Sequence, residues 1–181
     1  MFTLIRRVAG AALATALVLA VPVTSATASD NSDVRATTTQ SAPVGTPAGG
    51  FRTGDDPSAK ELPRAPKDGG VRATAWNYYI TSSCSGRASQ IRQGANFWGG
   101  AVETSSSGTP VECTGGYVQG CGSGLVVGCN WGAGDRIMLS TLVSDFALLA
   151  AHEFGHNWYG HSPAGCANWA SAYEVMRPTM C

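Results

Sequence analysis

Leu142-Val143-Ser144-Asp145-Phe146-Ala147-Leu148-Leu149-Ala150-Ala151-His152-Glu153-Phe154-Gly155-His156 is the stretch on which the reading of this chain turns. Leu142 to Ala151 is an apolar run of helix formers, with Ser144 or Asp145 available as N-cap. On that helix His152 and His156, four residues apart, stand one above the other on one face, where two imidazole nitrogens can reach one metal ion. Glu153 sits one position round, beside that face. A largely apolar, buried helix carries two histidines and a glutamate at a desolvation cost unless they are paired or metal-bound. The one other histidine, His161, follows five residues after His156.

His152 to His156 spells H-E-x-x-H, a short pattern that also arises by chance in unrelated helices. Its apolar context and the third histidine nearby favour a metal site. Zinc held by neutral imidazoles keeps an open position for water and lowers that water's pKa towards about 7, while a neighbouring carboxylate can take its proton. The stretch thus offers a metal, a nucleophile and a base, and Zn2+ is the expected cofactor.

Arg6 and Arg7, an apolar run from Val8 to Val21 and the small-x-small Ala26-Thr27-Ala28 read as a secretory signal peptide over residues 1–28. The run is shorter than the ~20 residues a spanning helix needs, so a retained membrane anchor is the weaker reading. Residues 29–72 are rich in Thr, Ser, Pro and Gly and poor in large apolar side chains, a composition that cannot fold alone. They read as a propeptide or disordered leader, cut near the basic residues Lys60, Arg64, Lys67 and Arg72; a permanent linker is the alternative.

Residues 73–181 hold all five tryptophans and all six cysteines. A domain of about 100 residues benefits from cross-links, and an even cysteine count in an exported chain implies disulfides. Four arginines against six acidic residues leave no basic surface for nucleic acid. The expected product is a secreted, extracellular monomer with neither nucleic acid nor membrane as partner.

The fold class expected is α+β. Ala75-Trp76-Asn77-Tyr78-Tyr79-Ile80 reads as the first strand, and Ala88, Ile91, Ala95 and Trp98 as a helix stripe ended by Gly99-Gly100. Gly116-Tyr117-Val118 and Leu125-Val126-Val127 suggest brief strands, and Arg136 to Ser140 a strand leading into the histidine helix. Gly120-Cys121-Gly122-Ser123-Gly124 is no nucleotide loop, because no helix pattern follows it. After His161 the chain reads as loop.

The first strand, the Gln90 to Trp98 helix, the Ile137-Met138-Leu139 strand, the H-E-x-x-H helix and Cys166, Glu174-Val175-Met176 and Cys181 together resemble the snapalysin-like small secreted zinc metalloproteases of the metzincin group. The resemblance covers roughly residues 73–181. It implies a small metzincin-like domain, a twisted mixed sheet with a packing helix and the H-E-x-x-H helix. It further implies His152 and His156 as zinc ligands, Glu153 as general base, Met176 beneath the metal and a Cys166–Cys181 bridge around that turn. Protein or peptide is the substrate it implies, with an aromatic or large apolar residue just after the cut bond. Among Cys84, Cys113, Cys121 and Cys129 three pairings remain.

Two departures from that family stand out. Its glycine and third ligand fall at positions held here by Tyr159 and Ser162; instead Gly160 precedes His161, and a glycine there can turn the chain back to the metal. His161 is therefore the expected third ligand and Glu174, 18 residues after His156, its rival. The chain also stops at Cys181, short of the family's C-terminal helix, so either the domain is minimal or the sequence continues.

The leading functional reading is a secreted zinc endopeptidase. A non-catalytic secreted zinc module and a metal-dependent hydrolase of a non-peptide amide or ester are the alternatives. Phe51-Arg52-Thr53-Gly54-Asp55 loosely resembles the propeptide motif by which astacin-type enzymes cap zinc with an aspartate; composition favours a solvated turn instead.

Overall fold

The computed structural model describes residues 50–56, 61–68 and 73–181. The signal-peptide reading of residues 1–28 lies outside them, as does much of the leader. The described chain is an α+β fold with one mixed seven-stranded sheet in the order β3-β2-β4-β6-β5-β1-β7. In chain order the elements are β1 (Phe51–Thr53), β2 (Trp76–Ile80), α1 (Ala88–Trp98), β3 (Ala101–Glu103), β4 (Thr109–Thr114), β5 (Val126–Trp131), β6 (Arg136–Ser140), α2 (Phe146–Gly155), α3 (Ala172–Val175) and β7 (Thr179–Met180).

Strands β2, β3, β4 and β6 run parallel, with α1 as the crossover from β2 to β3. Strand β5 is antiparallel to β6. The α1 stripe expected from sequence is the buried one: Ile91, Ala95 and Trp98 face inward. Every residue of α2 is buried, as befits a helix apolar all round. The two helices approach closely because Gly94 has no side chain; a methyl there would lie 2.6 Å from the Ala151 amide nitrogen. Trp98 Nε1–H donates to the Ala151 carbonyl at 2.7 Å and fixes the register of the crossing.

Three disulfides complete the frame: Cys84–Cys113, Cys121–Cys129 and Cys166–Cys181. The last is the bridge the family resemblance implies, and the other two resolve the open pairing. No helix among the described residues is long and apolar enough to cross a membrane.

Three local expectations need correction. Gly116–Val118 is loop, joined to β5 by the single bond Val118 N–H to Val126 O at 2.8 Å; the glycines beside it supply no side chains to pack. The chain after His161, expected as loop, carries α3 and β7: the Ser171 side chain caps the helix by accepting the Glu174 amide, and β7 pairs with β1. Residues 50–56 and 61–68, from the stretch whose composition predicts no fold, pack on the core of the rest: Phe51 and Thr53 are buried in the sheet, and Ala65 is buried too.

Candidate metal centre

Asp145, the second of the two N-cap candidates, starts α2 by accepting the Leu148 amide at 2.9 Å. The helix carries His152 and Glu153 in its last turns and ends with His156 as its C-cap residue. Beyond it, the amides of Trp158 and Tyr159 both bond the Gly155 carbonyl, so the chain turns sharply and Gly160 leads His161 back. Ser162 N–H then bonds the Met176 carbonyl at 2.8 Å and anchors the returning segment.

The three histidines converge. His152 Nε2 lies 3.1 Å from His156 Nε2 and 3.1 Å from His161 Nε2, and one ligand atom from each falls within 4.8 Å of the others. Tetrahedral zinc with bonds of about 2.0–2.1 Å sets neighbouring nitrogens about 3.3–3.4 Å apart, close to this spacing.

The outer nitrogens are all engaged. His152 Nδ1 meets the Val175 carbonyl at 2.7 Å, His156 Nδ1 the Tyr159 carbonyl at 3.1 Å, and His161 Nδ1 the Asp55 carboxylate at 2.5 Å. Since a carbonyl or carboxylate can only accept, each ring places its proton on Nδ1 and leaves Nε2 bare. Three bare lone pairs aimed at one another repel, and a cation between them removes the conflict. The donor set therefore fits a metal ion.

Burial favours the neutral imidazoles that a metal requires. It holds His152 well below the ordinary histidine range, with His156 and His161 adding to the effect. Burial, then His161, brings His156 down to about 3. His161 is also lowered by burial, against an opposing pull from Asp55.

Glu153 is fully buried, and neither carboxylate oxygen has a hydrogen-bond partner among the described residues. Burial pushes its carboxyl well above the usual range, and the charge of Asp55 pushes the same way. The carboxylate abuts Gly128 of β5, where a methyl group would overlap Oε1. Glu153 is not one of the three clustered ligands.

Glu174, the rival third ligand, is elsewhere: it pairs with Arg177 at 2.5 Å and accepts from Asn168 at 3.0 Å. Met176 is fully buried against Gly155 at the end of α2, so it lies under the helix that bears the cluster.

Asp55 does not join the ligand atoms as an aspartate cap would; the solvated turn that composition favours is largely exposed, but its carboxylate is tied to His161. The strand geometry of β1 carries Thr53 to the cluster first, with Thr53 Oγ1 3.0 Å from His161 Nε2, and Asp55 then reaches the outer nitrogen of that ring.

Two further residues were not legible in the sequence. Asn130 of β5 is buried and donates to the Glu153 carbonyl at 2.7 Å and to Asn157 Oδ1 at 2.6 Å, tying the strand to the end of α2. Gly128 makes room for the Glu153 carboxylate. One asparagine and one glycine in the strand Val126–Trp131 give no spacing signal that would single them out.

No protein-family model matches this chain, and no curated protein matches its sequence. Function is therefore read from the site itself.

Proposed function

We propose that the chain is a secreted zinc-dependent endopeptidase of the snapalysin-like kind, with His152, His156 and His161 as the metal ligands and Glu153 as the general base. One observation carries this reading: three bare Nε2 atoms converge on a helix whose next residue after His152, Glu153, holds a buried carboxylate with no partner among the described residues. Zinc bound there supplies Lewis acidity, polarising a substrate carbonyl and making a water easier to deprotonate. Glu153 accepts the proton of the attacking water and returns it to the leaving amine. Asp55 and the Val175 and Tyr159 carbonyls orient the imidazoles from outside, and Met176 supports the helix from below.

The second reading is a non-catalytic zinc module. It is favoured by Thr53, whose hydroxyl closes one side of the cluster as a fourth ligand would. Glu153→Gln separates the two. It should keep one zinc per chain and lower hydrolysis of casein by at least ~10²-fold, the usual size of a general-base contribution. An unchanged rate removes Glu153 as base; loss of the metal makes it a ligand or a fold residue; no hydrolysis by the wild type leaves the non-catalytic module.

A further inference from the structure

Where α2 ends, its backbone leaves a carbonyl to be satisfied from outside. The Asn157 amide, which a continuing α-helix would bond to the Glu153 carbonyl, bonds the Phe154 carbonyl at 3.1 Å instead, and the Trp158 amide bonds that of Gly155 at 3.0 Å. A side chain from the sheet takes the Glu153 carbonyl: Asn130 Nδ2–H donates to it at 2.7 Å. The same nitrogen donates to Asn157 Oδ1 at 2.6 Å, and Asn130 Oδ1 accepts the Gly134 amide at 2.8 Å. This one buried side chain therefore joins the residue that carries the candidate base, the residue after His156 and the turn between β5 and β6.

The three partners fix the residue type. The Glu153 carbonyl can only accept and the Gly134 amide can only donate, so one arm of residue 130 must be a donor with two hydrogens and the other an acceptor. Asparagine has that pair at this length, whereas aspartate lacks the donor and glutamine is a methylene longer. Asn130 and Gly128 also stand on one face of β5, two residues apart, and hold Glu153 at two points. Gly128 leaves the space that the carboxylate fills, and Asn130 bonds the carbonyl of the same residue. The turn on the other arm needs holding too. Ala133 sits at φ 51, in the left-handed region that a side chain disfavours, and its neighbour Gly134 is bonded at the amide by Asn130 and at the carbonyl by Thr109 Oγ1–H. Asn130 and Ala133 line one cavity of about 560 Å³ together with His156 and His161.

We propose that Asn130 is a positioning residue of the candidate site, which sets where Glu153 and His156 stand by tying the end of α2 to β5 and to the turn that walls the cavity. The inference rests on the hydrolase reading for its kinetic consequence, and on the three hydrogen bonds alone for the clamp. Its partners on the helix side, Glu153 and Asn157, lie on either side of His156 in the chain, so losing the clamp frees the last helical turn as a unit. Helix ends fray, and a misplacement of about 1 Å costs a reaction about 10²-fold.

The test compares two isosteric changes in the full chain loaded with zinc. Asn130→Asp keeps the shape and the acceptor for Gly134 but sets a carboxylate oxygen against the Glu153 carbonyl and Asn157 Oδ1. Asn157→Asp keeps the acceptor that Asn130 uses, and the atom it replaces, Asn157 Nδ2, has no partner among the described residues. Casein hydrolysis per zinc-loaded chain, zinc affinity by competition with a chelator, and urea unfolding are measured for each. Asn130→Asp should lower kcat by about 10²-fold with KM changed by less than ~3-fold, and should weaken zinc binding by about 10-fold. Asn157→Asp should lose at least ~10-fold less in kcat, because the donor it needs is still in place. Lower unfolding stability with wild-type kcat per zinc-loaded chain and wild-type zinc affinity makes Asn130 a fold residue only and overturns the proposal. Equal losses in the two variants overturn it as well. If the wild type hydrolyses nothing, zinc affinity decides: a loss in Asn130→Asp that exceeds the loss in Asn157→Asp keeps the clamp and rejects the hydrolase reading, and equal affinities reject both. Should Asn130→Asp fail to fold, Asn130→Ala removes the donor without adding charge and is judged by the same outcomes.

Discussion

Helix α2 and strand β1 meet at His161 by opposite routes. The helix brings His152, Glu153 and His156 together through its own periodicity, so the relation among them is local and would hold in any helix. The strand reaches the cluster from more than a hundred residues away: Thr53 and Asp55 touch His161 only because β1 pairs with β5 and β7. The local element supplies the donors. The distant one places a hydroxyl against them and holds one ring in place. Chemistry written into a helix is thus built to persist, whereas chemistry borrowed from a strand ends when the strand leaves.

The largest expected effect bears on the donors themselves. His161→Ala removes one of three converging nitrogens and should weaken zinc binding by more than the about 10–100-fold that an outer hydrogen-bond partner is worth. Glu174→Ala should leave it nearly unchanged, since that carboxylate is spent on Arg177 and Asn168. Metal titration of both variants decides the point. A Glu174 variant stripped of zinc beside a His161 variant that keeps it would reverse the assignment.

The same contrast explains what could be read from the chain. The α1 stripe, α2 and its cap, β2 and β6 rest on short-range periodicity and on a cap residue that bonds three positions ahead. Convergence of His161 was legible from Gly160 and from the scarcity of histidine. Strand β1 was not: its three residues sit in a stretch whose composition argues against folding, and its stability comes from partners near residues 126 and 180. The Thr53 contact and the bond between Asp55 and the outer nitrogen of His161 were hidden for the same reason. Gly128 and Asn130 matter through a helix packed against their strand, a relation that alternation along β5 does not encode.

A middle-sized effect probes the borrowed half. Asp55→Ala removes the acceptor at His161 Nδ1 and leaves the ligand atoms untouched, so zinc affinity of the full chain should fall by about 10–100-fold, less than for His161→Ala. The comparison is sharpest in the Thr53→Pro background. There the strand lacks the amide that bonds the Pro178 carbonyl, and the further loss from Asp55→Ala should shrink; an undiminished loss would mean that Asp55 acts independently of the strand.

The smallest effect is a slope in pH, and it isolates the helix from the strand. In metal-free protein, burial lowers the pKa of His152 and His156, so between their folded values and about 6.5 the unfolded chain binds more protons, and stability falls as pH falls. Glu153 acts in the other sense. Its raised carboxyl pKa makes the folded state the better proton binder above about 4.5, so its contribution is present at low pH and lost as pH rises. Between pH 5 and 6 the two oppose each other in the wild type. Glu153→Gln deletes one side, so the chelated variant should lose stability with falling pH more steeply, by up to about 1.4 kcal/mol per pH unit, the value of one proton. Urea unfolding at pH 5, 5.5 and 6 measures the two slopes. Equal slopes would mean that Glu153 stays ionised in the metal-free fold despite its burial.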